Sequence, residues 1–317
     1  TREGRFAEGF GALKRIPQYR AARPPHVRDA DRNETRRAIA AFLLVCSRAD
    51  EAMAVTDRAL VLPDRRSHNS RDPAQDQVVV ALLDRRAKLV AAEQRLEEAR
   101  SEPFYLRPLE WVKALVLRAR ALSSRALVER LLRDETRLSG IFRIGTAASA
   151  ILPPWLAGEL VDVLGAGVVQ EALDQASARD HRPGAEAYYD AFAAEVAVRA
   201  GEPEVALERA QRALAGLSPG ELLLRARTLA LSSEAARELR RADALRFYEQ
   251  AFQADPGVFR RLSLRVPVRF EVRGNSVAER VASRLEGSPR LDQDDSGLLL
   301  RVEANIAGGT ACLFNRD

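Results

Sequence analysis

Lysine is almost missing from this 317-residue chain. Lys14, Lys88 and Lys113 are lysines, and the other 47 of its 50 basic residues are arginine. With alanine also used heavily, this pattern is that of GC-rich bacterial coding rather than of a nucleic-acid footprint. The arginines are interleaved with 45 acidic residues, leaving a net charge of only +5. The densest basic stretch, "RRSHNSR", is short, turn-like and free of aromatics, so a solvated charged surface is expected there. Cysteine is equally scarce. Cys46 and Cys312 do not make a disulfide framework. Each follows or sits in an apolar stretch ("AFLLVC", "ACLF"), as buried free thiols do. No run of ~18 uncharged apolar residues occurs, so no membrane span is expected. The best candidate, "IGTAASAILPPWLAG", is too short and carries two prolines. No secretory leader is visible. The chain begins at Thr1 rather than methionine, so this says nothing about the start of the parent gene product, and the compartment (envelope, periplasm or cytoplasm) is not read.

The residues of catalysis are also thin. His26, His68 and His181 all fall in breaker-rich loops, and none pairs with Glu or Cys at metal-ligand spacing. H-E-x-x-H and the phosphate-binding G-x-x-x-x-G-K-[ST] are absent. "GLSPG" at 216–220 matches G-x-S-x-G. A nucleophile elbow needs a strand before the serine and a helix just after it. Here a helix precedes and Pro219 follows, so an interhelix turn is expected. "GAGVVQ" lacks a third glycine and a leading strand. Cys312 has no histidine within 130 residues of sequence, and a strand-buried thiol is expected. From Asp292 the chain fits the calcium loop D-x-[DN]-x-[DN]-G-x5-E, with Ser296 at position 5, Gly297 at 6 and Glu303 at 12. Such a loop needs Glu303 to open a helix, yet "LLLRVEAN" alternates as a strand. An acidic turn is expected instead, with Gly297 marking the start of the strand. No metal, cofactor or enzymatic activity is expected.

What the chain has is helical periodicity. From about Arg5 to Leu262 apolar residues recur at spacings of three and four. Breaks at "RPPHVRDADRN", "LPDRRSHNSRDP", "SEPFYLRP", "ILPP", "RDHRPG", "LSPG" and "DPG" divide this stretch into helices of roughly 12–25 residues joined as hairpins. "ADALRFYEQAFQADP" places Ala244, Tyr248, Ala251 and Pro256 at offsets 0, 4, 7 and 12. Ala52, Thr56 and Ala59, then Ala206, Ala210 and Ala213, then Ala92, Leu96 and Ala99, each followed by a proline, repeat the set. These offsets resemble the tetratricopeptide repeat, whose small residues let two helices cross closely. The likeness is best over Asn33–Asp64 and Arg227–Pro256 and weaker over Asp72–Pro103 and Ala185–Pro219. Glu110–Asp180 matches poorly. The resemblance implies an irregular α-solenoid over residues 1–261.

Past Leu262 the period changes to two. In "LRVPVRFEVRG", Leu264, Val266, Val268, Phe270 and Val272 alternate with polar residues and Pro267, predicting an edge strand or a strand's outer end. "SVAERVASRLEG" predicts an amphipathic helix with a Ser276–Glu279 capping box and a buried stripe of Val277, Val281 and Leu285. Two further strands follow, at "GLLLRVEAN" and "GGTACLF". The resulting β-α-β-β unit over 262–317, a small α+β domain, is similar to small α/β modules of bacterial envelope assembly proteins.

A helical-repeat array joined to a small α/β unit predicts a non-catalytic scaffold or assembly factor that holds a protein or peptide partner in a solenoid groove. Two other functions fit the same residues: a docking or regulatory arm of an enzyme outside this chain, and a nucleic-acid binder using arginine-rich helices. The two-carboxylate clamp known from tetratricopeptide proteins needs an asparagine on an inner helix. The five asparagines (Asn33, Asn69, Asn275, Asn305, Asn315) all fall outside the predicted solenoid helices. A groove of arginine and aromatics is the remaining form, with Trp111, Tyr188, Tyr189, Arg225 and Arg227 as candidate partner-binding residues.

Overall fold

Small residues set how closely the helices of this chain approach. The computed structural model describes residues 8–9, 11–12, 36–59, 73–133, 135–142, 156–288, 290–295, 297–305 and 308–314. Residues 8–9 and 11–12 are helical, and the first longer described helix is α1 over 36–45. Then come α2 (Ala49–Ala59), α3 (Pro73–Ser101), α4 (Arg107–Leu131), α5 (Glu135–Ile141), α6 (Ala157–Leu164) and α7 (Ala166–Ala178). They continue as α8 (Ala185–Ala200), α9 (Pro203–Gly216), α10 (Leu222–Glu238), α11 (Ala244–Ala254) and α12 (Val258–Leu262). The C-terminal unit is β1 (Val266–Gly274), α13 (Ser276–Glu286), β2 (Leu291–Gln293), β3 (Leu298–Asn305) and β4 (Gly308–Phe314). The chain is mostly helical with a small C-terminal sheet, as its periodicity predicts.

Consecutive helices pack as neighbours: α2 on α3, α3 on α4, α8 on α9, α9 on α10 and α10 on α11. The alanines picked out by the repeat offsets lie on the inner faces of these helices. Ala52, Ala92, Ala99, Ala206, Ala210, Ala213 and Ala251 are all buried, and Ala244 is half-buried. A methyl in place of a larger side chain lets two helix axes approach to the short end of the usual range. Tyr248 fills the groove beside Ala251, and its ring stacks on Phe259 at 4.1 Å between centroids.

One expected hairpin is absent. Residues 73–101 form a single 29-residue helix instead of two. Between Pro73 and Ser101 there is no glycine or further proline, so nothing stops the helix once it has started. In the N-terminal half of α3, Val78 to Leu83 are fully buried. They anchor the largest apolar cluster, together with Ile141, Phe142, Leu160 and Leu173.

The sheet has the order β2-β1-β3-β4. β1 runs parallel to both β2 and β3, and β4 returns antiparallel to β3. The short strand β2 is one more than the periodicity predicts. Three residues give too short an alternation to register. β1 is therefore an inner strand, but Pro267 does lie at its outer end and is buried. Val266 donates its N–H to Arg290 and the Val268 carbonyl accepts from Asp294, both on the β2 side. The missing N–H of Pro267 faces the other side, where the ladder with β3 begins only at Val268. Its lack of a donor costs the sheet nothing.

Helix α13 corrects the predicted stripe and cap. Its buried residues are Ala278 and Ala282, with Leu285 partly buried, while Val281 is exposed. Two alanines let α13 lie close on Val268, Leu300 and Val302. The valines, being bulkier, would hold it off. The N-cap is Asn275, whose Oδ1 accepts from the Val277 N–H at 3.0 Å, rather than Ser276.

The sheet shares its core with the helices. Leu298 of β3 packs in one cluster with Tyr248, Phe259 and Leu262, and the Tyr248 hydroxyl donates to the Arg265 carbonyl at 2.8 Å. α3 spans both parts. Arg86 donates to the Arg261 carbonyl at 2.5 Å, and Glu97 near its other end accepts from Arg290 at 2.9 Å.

Candidate partner-docking face

Helix α4 is bounded by breakers and uninterrupted between them. Pro103 ends the preceding helix, a turn closes with the Leu106 N–H on the Pro103 carbonyl at 2.9 Å, and Pro108 sits in the first turn of α4. From Leu109 onward it holds mainly leucine, alanine, valine and arginine, with no glycine or proline. One face, Ala114, Ala121, Ser124 and Val128, is buried and packs on α3. That face is fixed by a polar cluster. Asp84 of α3 is fully buried and accepts from Thr56 at 3.0 Å, from Ser124 and from Lys88.

The opposite face is apolar and open. Phe104 is 79% exposed, Leu115 63% and Trp111 53%. Trp111, Leu115 and Leu122 form one ridge at spacings of four and seven; Leu109, Val112 and Val116 form the next. Tyr105 stands edge-on to Phe104 at the head of both, with centroids 5.7 Å apart. Scaled from these exposures, the stripe from 104 to 122 presents on the order of 900 Å2 of mainly apolar surface, against roughly 300–600 Å2 for the largest patch of an ordinary monomer. A helix with its small residues on the packed side and its large hydrophobes outward, flanked by exposed arginines, inverts the usual amphipathic arrangement.

A cleft of about 280 Å3 reaches α4 at Arg118. Arg118 borders it from α4, three residues after Leu115 and four before Leu122. Arg100, Arg265 and Arg290 complete a set of four arginines against Glu93 and Glu97. Glu97 accepts from Arg290, and Arg100 donates to the Gly287 carbonyl at 2.5 Å. The side chains of Arg118 and Arg265 are exposed and have no partner among the described residues.

The five residues singled out in the sequence do not converge. Trp111 lies on the open stripe. Tyr189 is buried, and its hydroxyl donates to Asp180 at 3.0 Å. Arg227 is buried and pairs with Glu195. Tyr188 donates to Glu221 at 2.7 Å, and Arg225 donates to the carbonyls of Leu214 and Leu217, closing the end of α9. Tyr188 and Arg225 thus fasten the same α9–α10 turn. The exposed residues of α4 were missed because their spacing is that of an ordinary buried stripe.

Elsewhere, Ser218 accepts from the Gly220 N–H at 3.3 Å within the turn between α9 and α10. Cys46 is half-buried, and burial pushes its thiol up from the ordinary value. Cys312 lies in β4, and its side chain is outside the described ones, as are His26 and His68. His181 is exposed in the loop before α8. Asp292 at the head of the acidic turn accepts from Arg237 of α10 at 2.7 Å. Glu303 stands on β3 opposite Arg273 of β1. Among the described residues no group of three or more His, Cys, Asp or Glu is placed to hold a metal, and no helix is long and apolar enough to cross a membrane. Comparison with family models, with curated proteins and with solved structures found no match for this chain.

Proposed function

We propose that this chain is a non-catalytic interaction module, a scaffold or assembly factor that binds a protein partner on the open face of α4. The observation that carries this reading is the stripe from Phe104 to Leu122. An apolar surface of this size, left in water, costs free energy that a partner recovers by covering it. Trp111, Tyr105 and Phe104 are residue types that concentrate binding energy. The buried alanines at the crossings of α8 to α11 support a tetratricopeptide-like reading of the helical part, with α4 presenting the contact surface in place of an arginine-and-aromatic groove. Four of the five groove candidates are engaged inside the chain, which weighs against that groove. The ion pairing of many arginines, such as Arg209 and Arg212 with Asp190, weighs against a nucleic-acid footprint.

The test is site-specific photocrosslinking in the native host. A crosslinking amino acid at Leu115 or Val112 is expected to give one discrete adduct, and the same residue at Gln211 on α9 none. Introducing Val116→Glu beside the probe is expected to remove the adduct. The reading fails if positions 112 and 115 give no adduct, or if the adduct survives Val116→Glu unchanged.

A further inference from the structure

Resting on the reading of α4 as a docking face, we infer that its occupant is an amphipathic helix of a partner protein, carrying acidic residues along one edge of its apolar stripe. Two alternatives compete for such a face, a second copy of this chain and a membrane surface, and charge and shape separate them. α4 carries Arg107, Lys113, Arg118, Arg120, Arg125 and Arg130 against its own Glu110 and Glu129, and Asp57 of α2 pairs with Arg120 at 3.4 Å. Two copies paired through this face would set an excess of three positive charges against another three, and juxtaposed like charges oppose association. The area is sufficient for a dimer, since a standard interface takes about 800 Å2 from each side. The charge is what disfavours it.

The same excess suits an acidic partner. Its positive edge is concentrated in the cleft, where Arg118 and Arg265 are unmatched among the described residues. A recess of about 280 Å3 that meets α4 at Arg118 admits carboxylate side chains projecting from a helix. A planar bilayer covers such a recess without entering it. Arginine also favours carboxylate by geometry, because its planar fork makes two parallel hydrogen bonds to the two oxygens. The length agrees as well. The stripe from 104 to 122 spans about 25–28 Å, which is ~18 residues of a facing helix at 1.5 Å per residue. Leucines of the partner would fill the valley between the Trp111–Leu115–Leu122 and Leu109–Val112–Val116 ridges. Its glutamates or aspartates would sit over Arg118 and Arg265.

The probes are two synthetic 18-residue helices, both free of tryptophan and both with the same leucine stripe. One carries glutamate along one flank and the other lysine. Binding to the full chain is read by calorimetry and by the emission of Trp111, with Trp155→Phe introduced to isolate it. The acidic peptide is expected to bind about tenfold tighter than the basic one, because only its carboxylates can pair with Arg118 and Arg265. Arg118→Glu with Arg265→Glu is expected to reverse that preference, and Leu115→Glu to abolish binding of both. Equal binding of the two peptides, or binding of neither, overturns the inference. So does a wild-type dimer in sedimentation that Leu115→Glu splits. Binding to phosphatidylglycerol vesicles with the acidic peptide unbound overturns it too. If the crosslinked partner at Leu115 persists while the peptides show no charge preference, the docking face stands and its proposed chemistry falls.

Discussion

The Nε of Arg227 donates to Oε2 of Glu195 at 3.0 Å, and both side chains lie almost wholly out of water. The pair joins α10 to α8 through the helix layer. Burial pushes the Arg227 guanidinium below its ordinary value, with Arg199 and Arg86 adding to that, while Glu195 holds it charged. Removing one partner leaves the other as an uncompensated interior charge. Arg227→Ala is expected to cost about 3–5 kcal/mol in urea denaturation, while Arg227→Met with Glu195→Leu restores stability to near the parent. A loss below 1 kcal/mol for the single variant would show that the pair is not isolated from solvent.

Lys88 is one of three lysines in a chain that otherwise uses arginine, and it is buried against Asp84 with Ser124 and Thr56. A compact ammonium fits this site between α2, α3 and α4, and a planar guanidinium does not. Lys88→Arg is expected to destabilise the chain by about 1–3 kcal/mol through overpacking. Lys113→Arg, at an exposed site, is expected to be neutral. Equal midpoints for the two variants would contradict the steric argument.

Gly297 meets the backbone of Pro267 so closely that an added Cβ would lie 2.5 Å from its carbonyl carbon and oxygen. Backbone cannot swing aside as a side chain can. Gly297→Ala is expected to cost about 3 kcal/mol and to separate β3 from the start of β1. Gly287→Ala, where the nearest atom is 3.6 Å away, is the control and should change stability by less than about 0.5 kcal/mol. Thermal melts of both variants decide it.

Asp180 accepts from Arg182 and Tyr189, and these hydrogen bonds hold its carboxyl down to about 2, below its ordinary value of 3.8. A carboxylate with a depressed folded value stabilises the fold above its unfolded value. That contribution is complete above about pH 5 and is lost as pH falls through 3.8 toward 2. Asp180→Asn is therefore expected to lower the urea midpoint at pH 6 and to show a shallower loss of stability between pH 5 and pH 3 than the parent. Parallel pH profiles would remove Asp180 as a contributor.

Ala114 and Leu115 are adjacent on α4 but face opposite ways, at 1% and 63% exposure. Leu115→Glu is expected to leave the melting temperature within ~1–2 °C of the parent and to raise solubility. Ala114→Glu is expected to prevent folding, because it buries a charge against α3 without a partner. Destabilisation by Leu115→Glu as severe as by Ala114→Glu would place the stripe inside the fold.

Part of this was legible in the amino-acid order. The change of period at Leu262 gave the division into helices and sheet, and the repeated alanines marked buried helix positions, because both are local patterns with a direct geometric meaning. Gly297 was correctly placed at the start of a strand, although its reason is the Pro267 backbone, thirty residues away in sequence. The stripe of α13 was misplaced by one residue. The larger side chains point to Val277 and Val281, while close packing on the sheet selects Ala278 and Ala282.

The sequence determines where helices start and stop, since proline, glycine and the period of apolar residues act within a few positions. It determines that α4 carries leucines, valines and a tryptophan on one side and alanine and serine on the other. Tertiary structure alone decides which of those sides is inside. Here α3 offers a buried aspartate that Ser124 can satisfy and a surface that alanines can approach closely. The side of α4 built from smaller residues is therefore packed, and the larger hydrophobes are turned outward.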